Sequence, residues 1–324
     1  MTRPARAALL VGAVLLVIAP VLAGNAFYQR IAALVVLAAI SASAWNVIGG
    51  YAGQVSFGHA VYFGIGAYAS LLAFTKLGLP PIAGAPLGIL ASFVLSVIMG
   101  LPTFRLRGHY FSMATIAIAE LVELLVTNWR FAGGAIGLMG PATPRSVADL
   151  LFRSALPYYG LFLVVLAILL ALTWWMERSR MGFYLRALGS GERAAESLGV
   201  PIRRYKLYAL LISGAFTSVA GSLYAVMIGF VDPSSGFGIL VSVNMVVMAA
   251  LGGAGTLFGP LVGAIILVPL AEMTNAFLGG GGAGAAYVAY GVIIMLMARY
   301  SPGGLAQWAR EIRALVSGRR RRAA

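Results

Sequence analysis

Asn46, Gln54, Ser56 and His59 stand in a stretch where chemistry is possible: Asn46-Val-Ile-Gly-Gly-Tyr-Ala-Gly-Gln-Val-Ser-Phe-Gly-His59. Four hydrogen-bonding side chains occupy positions that lipid contact would make apolar. Glycines at 49, 50, 53 and 58 permit unusual backbone and close helix approach. Two readings follow. The stretch lines a path for a polar solute, or it is a tight turn leading into a closely packed helix. Irregular backbone at membrane depth must line a cavity or be buried in protein, and that leaves both open. Glu120 and Glu123 form a second polar group within an apolar run. At about 100° per residue they share a helix face with Ser112 and Thr127. A charge at mid-membrane costs about 3 kcal/mol on insertion scales, so this face must meet protein or water. It is either a substrate-path or gating face, or a pair of carboxyls that bonds between helices. Glu272 raises the same question.

A third segment, Arg186 to Lys206, is charged and carries helix punctuation. Ser190 is placed to cap a short helix, Glu192 falls in its first turn, and Gly199 and Pro201 end it. Such an exposed helix is either a docking surface or a solvated loop.

Several chemistries are absent. There is no cysteine, hence no disulfide and no thiolate ligand or nucleophile. The two histidines, His59 and His109, are too few for a histidine-built metal site. No G-x-x-x-x-G-K-[ST], H-E-x-x-H or G-x-S-x-G occurs. The chain is therefore not expected to be an enzyme by itself or to hold a cofactor. If ATP drives it, another chain binds the ATP.

The elements that position these residues follow from composition. Of 324 residues, 61% are hydrophobic and 10% charged, against about 25% charged in soluble domains. A single soluble core stops growing near 250–300 residues, so lipid must solvate much of this surface. The expected fold is an all-α polytopic membrane protein of about ten spans: 7–23, 31–48, 56–76, 85–104, 110–129, 158–176, 207–229, 239–255, 259–278 and 285–299. The apolar run 7–23 resembles a signal peptide, but further spans follow at once, so it reads as an uncleaved first helix. Regular helix is doubtful at Gly49–Gly58 and Gly252–Gly259.

With the N-terminus in the cytoplasm, alternation puts 18 of the 23 basic residues inside. Arg30, Lys76, Arg130, Arg145 and Arg153 remain outside. That distribution satisfies the positive-inside rule and leaves both termini cytoplasmic. The basic excess is thus a matter of topology and anionic lipid, with no nucleic acid implied. Residues 1–306 form one membrane body, with the inner loop 177–206, and 307–324 form a basic cytoplasmic tail. Gly255, Gly259 and Gly263, and likewise Gly214, Ser218 and Ser222, recur every four residues, which suits close helix packing within the bundle.

In their order and spacing these segments resemble the permeases of branched-chain amino-acid ABC importers, of the LivM type, over about residues 31–305. The resemblance rests on Gly49-Gly-Tyr-Ala-Gly-Gln-Val-Ser-Phe-Gly-His59, Arg105-Leu-Arg-Gly-His-Tyr-Phe111 and Gly133-Gly-Ala-Ile-Gly-Leu138. It also rests on Ala194-Ala-Glu-Ser-Leu-Gly199 with Arg204-Tyr-Lys-Leu207, and on Leu251-Gly-Gly-Ala-Gly-Thr-Leu-Phe-Gly-Pro260. Two places depart from it. Arg193 stands where an acidic residue precedes Ala-Ala in the general coupling motif, and Ser301-Pro302 replaces the usual Arg-Pro.

The resemblance implies a machine in a bacterial inner membrane. Its parts are this permease, a second related permease (LivH type), two cytoplasmic ATP-binding subunits and an external substrate-binding protein. The last would dock near loops 130–157 and 230–238. Arg193, Ala194, Ala195, Glu196, Gly199 and Arg204 would couple to the ATPase. Asn46, Gln54, Ser56, His59, Glu120 and Glu123 would be candidates for the substrate path. The alternative is an ion-coupled secondary transporter with Glu120 and Glu123 as midplane ligands. Such a carrier needs no ATPase dock, and the 190–199 helix argues against it.

Overall fold

The computed structural model describes residues 24–140 and 154–277, together with 150, 152, 284, 288, 291, 292, 295, 304 and 305. Eight of the ten expected spans fall within these residues. Each coincides with a helix long and apolar enough to cross a membrane. The expected first span 7–23 and the tail 307–324 lie outside the described residues. So does 285–299, apart from helical positions at 288, 291, 292 and 295.

Helix α1 (Ala26–Asn46) starts where the Asn25 side chain accepts the Phe27 N–H at 2.9 Å and ends in a π-helical turn, Val47–Tyr51. Such turns concentrate at functional sites. An irregular segment, 52–58, leads to α2 (His59–Leu77), closed by Gly78 in the left-handed region at φ 64°. Then come α3 (Gly84–Thr103), α4 (His109–Asn128) and α5 (Ala155–Arg178). Two short helices, α6 (Arg180–Ser190) and α7 (Glu192–Ser197), precede α8 (Ile202–Ile228). Then follow α9 (Pro233–Phe237), α10 (Ile239–Gly252) and α11 (Gly259–Phe277).

Helices α2 and α8 form the centre. A Cβ on Gly66 would stand 1.8 Å from the Ser218 carbonyl oxygen, and one on Gly221 would stand 1.9 Å from that of Phe63. Only glycine permits this approach. The Ser222 hydroxyl then donates to the Gly66 carbonyl at 2.9 Å. The small-residue row of α8 is thus a seam within the bundle, as its spacing predicted. Helix α3 packs on α2 and α8, and the α10–α11 hairpin packs on α1.

The spans differ in enclosure. In α1, 83% of the most apolar window is buried, whereas in α4 the figure is 22%. Two-residue strands β1 (Leu138–Met139) and β2 (Phe230–Val231) pair antiparallel and tie the 130–140 loop to the α8–α9 turn. Asp232 there caps α9 through Ser235, with Pro233 in the first turn.

Candidate functional site

At the end of the bundle opposite that sheet, four chain segments meet. They are the irregular stretch 52–58, the α3–α4 turn, the α6–α7 pair and the start of α8. Glu192 is their hub. Its Oε1 accepts from Gln54 Nε2 at 2.8 Å and from Lys206 Nζ at 2.7 Å. Arg107 Nε lies 3.9 Å from its Oε2, and Arg107 also donates to Glu196 at 2.9 Å.

Lys206 is 0% exposed. A buried ammonium needs a partner, and Glu192 supplies it. The helical period carries the signal: Lys206 shares a face with buried Ala209 and Leu210, whereas Arg203 and Arg204 are exposed. Alongside, Tyr51 donates to Glu177 at 2.7 Å. Gly53 and Gly189 touch backbone to backbone, since a Cβ on Gly53 would stand 3.0 Å from the Gly189 Cα.

The loop helix differs from expectation. Ser190 does not cap it. Leu185 and Leu188 bury against the bundle and hold Arg180–Ser190 helical, so Ser190 closes α6 and donates to the Arg186 carbonyl at 3.0 Å. Gly191 precedes α7, and Glu192 does lie in its first turn. Of the coupling candidates, Arg193, Ala194, Glu196, Gly199 and Arg204 are exposed, while Ala195 is buried beneath α7. Two residues that sequence reasoning passed over join the exposed set. Leu198, one turn after Ala194, is 82% exposed, and Phe183 is 68% exposed.

Deeper in the bundle, Asn46, Gln54, Ser56 and His59 are all buried and bonded to protein. The Asn46 side chain spans the two glycine-rich breaks. Its Nδ2 donates to the Thr256 carbonyl at 3.0 Å, and its Oδ1 accepts the Gly255 N–H at 2.8 Å. Gly50 is required here, since a Cβ would stand 1.9 Å from that Oδ1. Trp45 Nε1 donates to the Ser56 carbonyl at 2.7 Å.

His59 belongs to a chain of hydroxyls. Ser213 donates to the Ala44 carbonyl at 2.6 Å, so its lone pair takes the His59 Nε2 proton at 2.7 Å. Nδ1 then accepts from Ser56 at 3.2 Å, while Ser56 Oγ accepts the Gly58 N–H at 3.3 Å. This network assigns the neutral Nε2–H tautomer. Thr115 and Ser112 of α4 hold the Phe57 N–H and the Val55 carbonyl at 3.0 and 2.7 Å. The segment is therefore a braced joint from the Glu192 hub to α1, α2, α4 and α8.

Glu120 is exposed on the open flank of α4, and Glu123 is half-buried beside it. Among the described residues, no three His, Asp or Glu side chains gather to hold a metal.

Among the described residues, eight helices long and apolar enough to cross a membrane, with a braced joint and exposed short helices at one end, define a multi-pass helical membrane protein. Over residues 27–298 the sequence matches the family described as "Branched-chain amino acid transport system / permease component", and the chain belongs to that family. It is 30% identical over 296 residues to the high-affinity branched-chain amino acid transport system permease protein LivM of Salmonella typhimurium, covering 84% of this chain and 68% of that protein. To LivM of Escherichia coli K12 it is 31% identical over 270 residues, covering 76% and 63%. The chain thus spans about two thirds of these relatives' length. It is also 30% identical over 163 residues to the autoinducer 2 import system permease protein LsrC of Klebsiella pneumoniae, covering 49% and 45%.

Proposed function

We propose that this chain is one of two permeases in a binding-protein-dependent ABC importer of the bacterial cytoplasmic membrane. Cytoplasmic ATPases would drive it, and branched-chain amino acids would be its substrates. The observation that carries this reading is the braced hub at Glu192, with the exposed apolar pair Ala194 and Leu198 on the outer face of the same short loop.

Charge supports the orientation. Among the described residues, Arg105, Arg107, Arg178, Arg180, Arg186, Arg193, Arg203, Arg204 and Lys206 lie toward the hub's end, and Arg30, Lys76 and Arg130 toward the other. The hub's end therefore faces the cytoplasm. Exposed carboxylates within a span do not face lipid, so the Glu120 flank of α4 meets the second permease or the solute path.

ATPase closure would press on α7. The Glu192 bonds to Gln54 and Lys206 would carry that displacement into segment 52–58 and the foot of α2. Coupling of this kind needs an element with two arrangements, and the glycine-rich joint, pinned by Asn46 to its counterpart at 253–256, is that element. An external binding protein would dock on the paired loops at the opposite end. The importer assignment stands for other small solutes too, since the external subunit sets much of the choice.

The test is substrate-stimulated ATP hydrolysis in the reconstituted complex. Ala194→Arg should insert normally and abolish both stimulation and uptake. Unchanged stimulation would remove the lever from the account.

A further inference from the structure

The face of α5 turned away from the bundle ends in a cluster that lies outside the joint. Val164, Ile168, Ala171 and Trp175 are exposed at steps of four, three and four residues, so they form one stripe along the helix. Phe162, Leu166, Leu169 and Met176 bury on the other side. Trp175 is 64% exposed, and Arg178 continues the stripe three residues later. Aliphatic side chains, then tryptophan, then arginine is the order expected where a lipid-facing helix leaves the acyl chains for the headgroups. Helix α6 opens at the same level with Arg180. Arg186 donates to the Glu177 carbonyl at 2.9 Å and ties α6 to the end of α5. The Arg178 side chain lies on Trp174, with its guanidinium carbon 3.8 Å from the ring centroid. That contact holds the cation in place and leaves its N–H edge for an acceptor. Neither Arg178 nor Arg180 forms an ion pair with another described residue. The neighbouring carboxylate, Glu177, accepts from Tyr51 instead. Two guanidinium groups without an acid, an aromatic pair and an aliphatic stripe beneath them match one molecule, with a phosphate at its head and a hydrocarbon chain behind it.

We propose that the α5–α6 corner is a binding site for an anionic phospholipid of the cytoplasmic leaflet. The lipid phosphate meets Arg178 and Arg180, and an acyl chain lies along Trp175, Ile168 and Val164. The corner selects net negative charge, because it carries two cations and offers no acid to a choline or ethanolamine group. A soluble ATPase does not account for the stripe, which runs on into the membrane span. The site goes beyond the importer reading and takes from it only the cytoplasmic orientation of this end, so it holds whatever solute is carried.

Tryptophan quenching by brominated lipid tests this directly. The full chain is placed in phosphatidylcholine nanodiscs that contain a fixed fraction of brominated phosphatidylglycerol or brominated phosphatidylcholine, with the ATPase absent and then present. The sequence has five tryptophans, so the signal of this pair is the difference between the wild type and Trp174→Phe/Trp175→Phe. Phosphatidylglycerol should be preferred beside the pair by at least about fivefold, the size expected of one engaged arginine near a membrane surface. Arg178→Gln/Arg180→Gln should remove the preference, while quenching by brominated phosphatidylcholine stays at the wild-type level and shows the corner intact. Equal quenching by the two lipids in the wild type, or a preference that survives the glutamine pair, would overturn the proposal. Absence of quenching by either lipid would mean that protein covers the corner, and loss of quenching only when the ATPase binds would give the face to that subunit. Either result would also overturn it.

Discussion

At the scale of single residues, Glu192 and Lys206 are a pair whose halves are unequal. Lys206 is wholly buried, while the Glu192 side chain retains 15% exposure. Removing the acid strands a buried cation, at a cost of about 3 kcal/mol. Glu192→Gln should therefore lower the apparent unfolding temperature of the detergent-purified protein clearly. Adding Lys206→Met should recover most of the loss, since a buried ion pair replaced by apolar groups is often neutral. Non-recovery in the double variant would mean that Glu192 acts through Gln54 and Arg107 instead. Glu120→Gln belongs here too. It should insert as the wild type does, and altered uptake kinetics would mark a path or interface role, whereas wild-type kinetics would leave only packing. The polar stretch 46–59 was legible as special from its residue types, but not the direction its side chains take. Asn46, Gln54 and His59 bond to chain far away in sequence, at Thr256, Glu192 and Ser213, and one-dimensional spacing carries no record of such partners.

At the scale of elements, the spans were legible because length and apolar content decide them, and eight of them stand where hydropathy put them. The α6–α7 break was not, because the helix is continued to Ser190 by the tertiary burial of Leu185 and Leu188, whereas Ser190 carries a local capping signal that loses to it. The α2–α8 seam gives a further prediction. Gly66→Ala forces a methyl into the Ser218 carbonyl and should destabilise the bundle by about 3 kcal/mol, read as loss of monodisperse protein on size-exclusion chromatography. Another concerns the α8–α9 turn. Burial raises the Asp232 carboxyl, but bonds from Ser234, Ser235 and backbone N–H groups outweigh it and hold it below its ordinary value. A carboxyl so depressed lends stability above its unfolded pKa, which is lost as pH falls through the folded one. Below about pH 4 the wild type should lose unfolding temperature more steeply than Asp232→Asn.

At the scale of the whole molecule, the chain is asymmetric from end to end. One end gathers arginines, short exposed helices and a braced glycine joint, and the other carries the paired loops. Between them α1 is enclosed while α4 presents an open flank with Glu120. An assembly with a second permease on that flank and an ATPase at the arginine-rich end satisfies both surfaces. The central claim is that the α7 face recruits an ATPase. It is tested most directly by purifying this chain, tagged, from its native membrane, as wild type and as Ala194→Arg. The account predicts that the wild type retains a P-loop ATPase and a second permease, and that the variant keeps the permease and loses the ATPase. A chain that purifies alone and still accumulates solute, with uptake abolished by an ionophore, would contradict it.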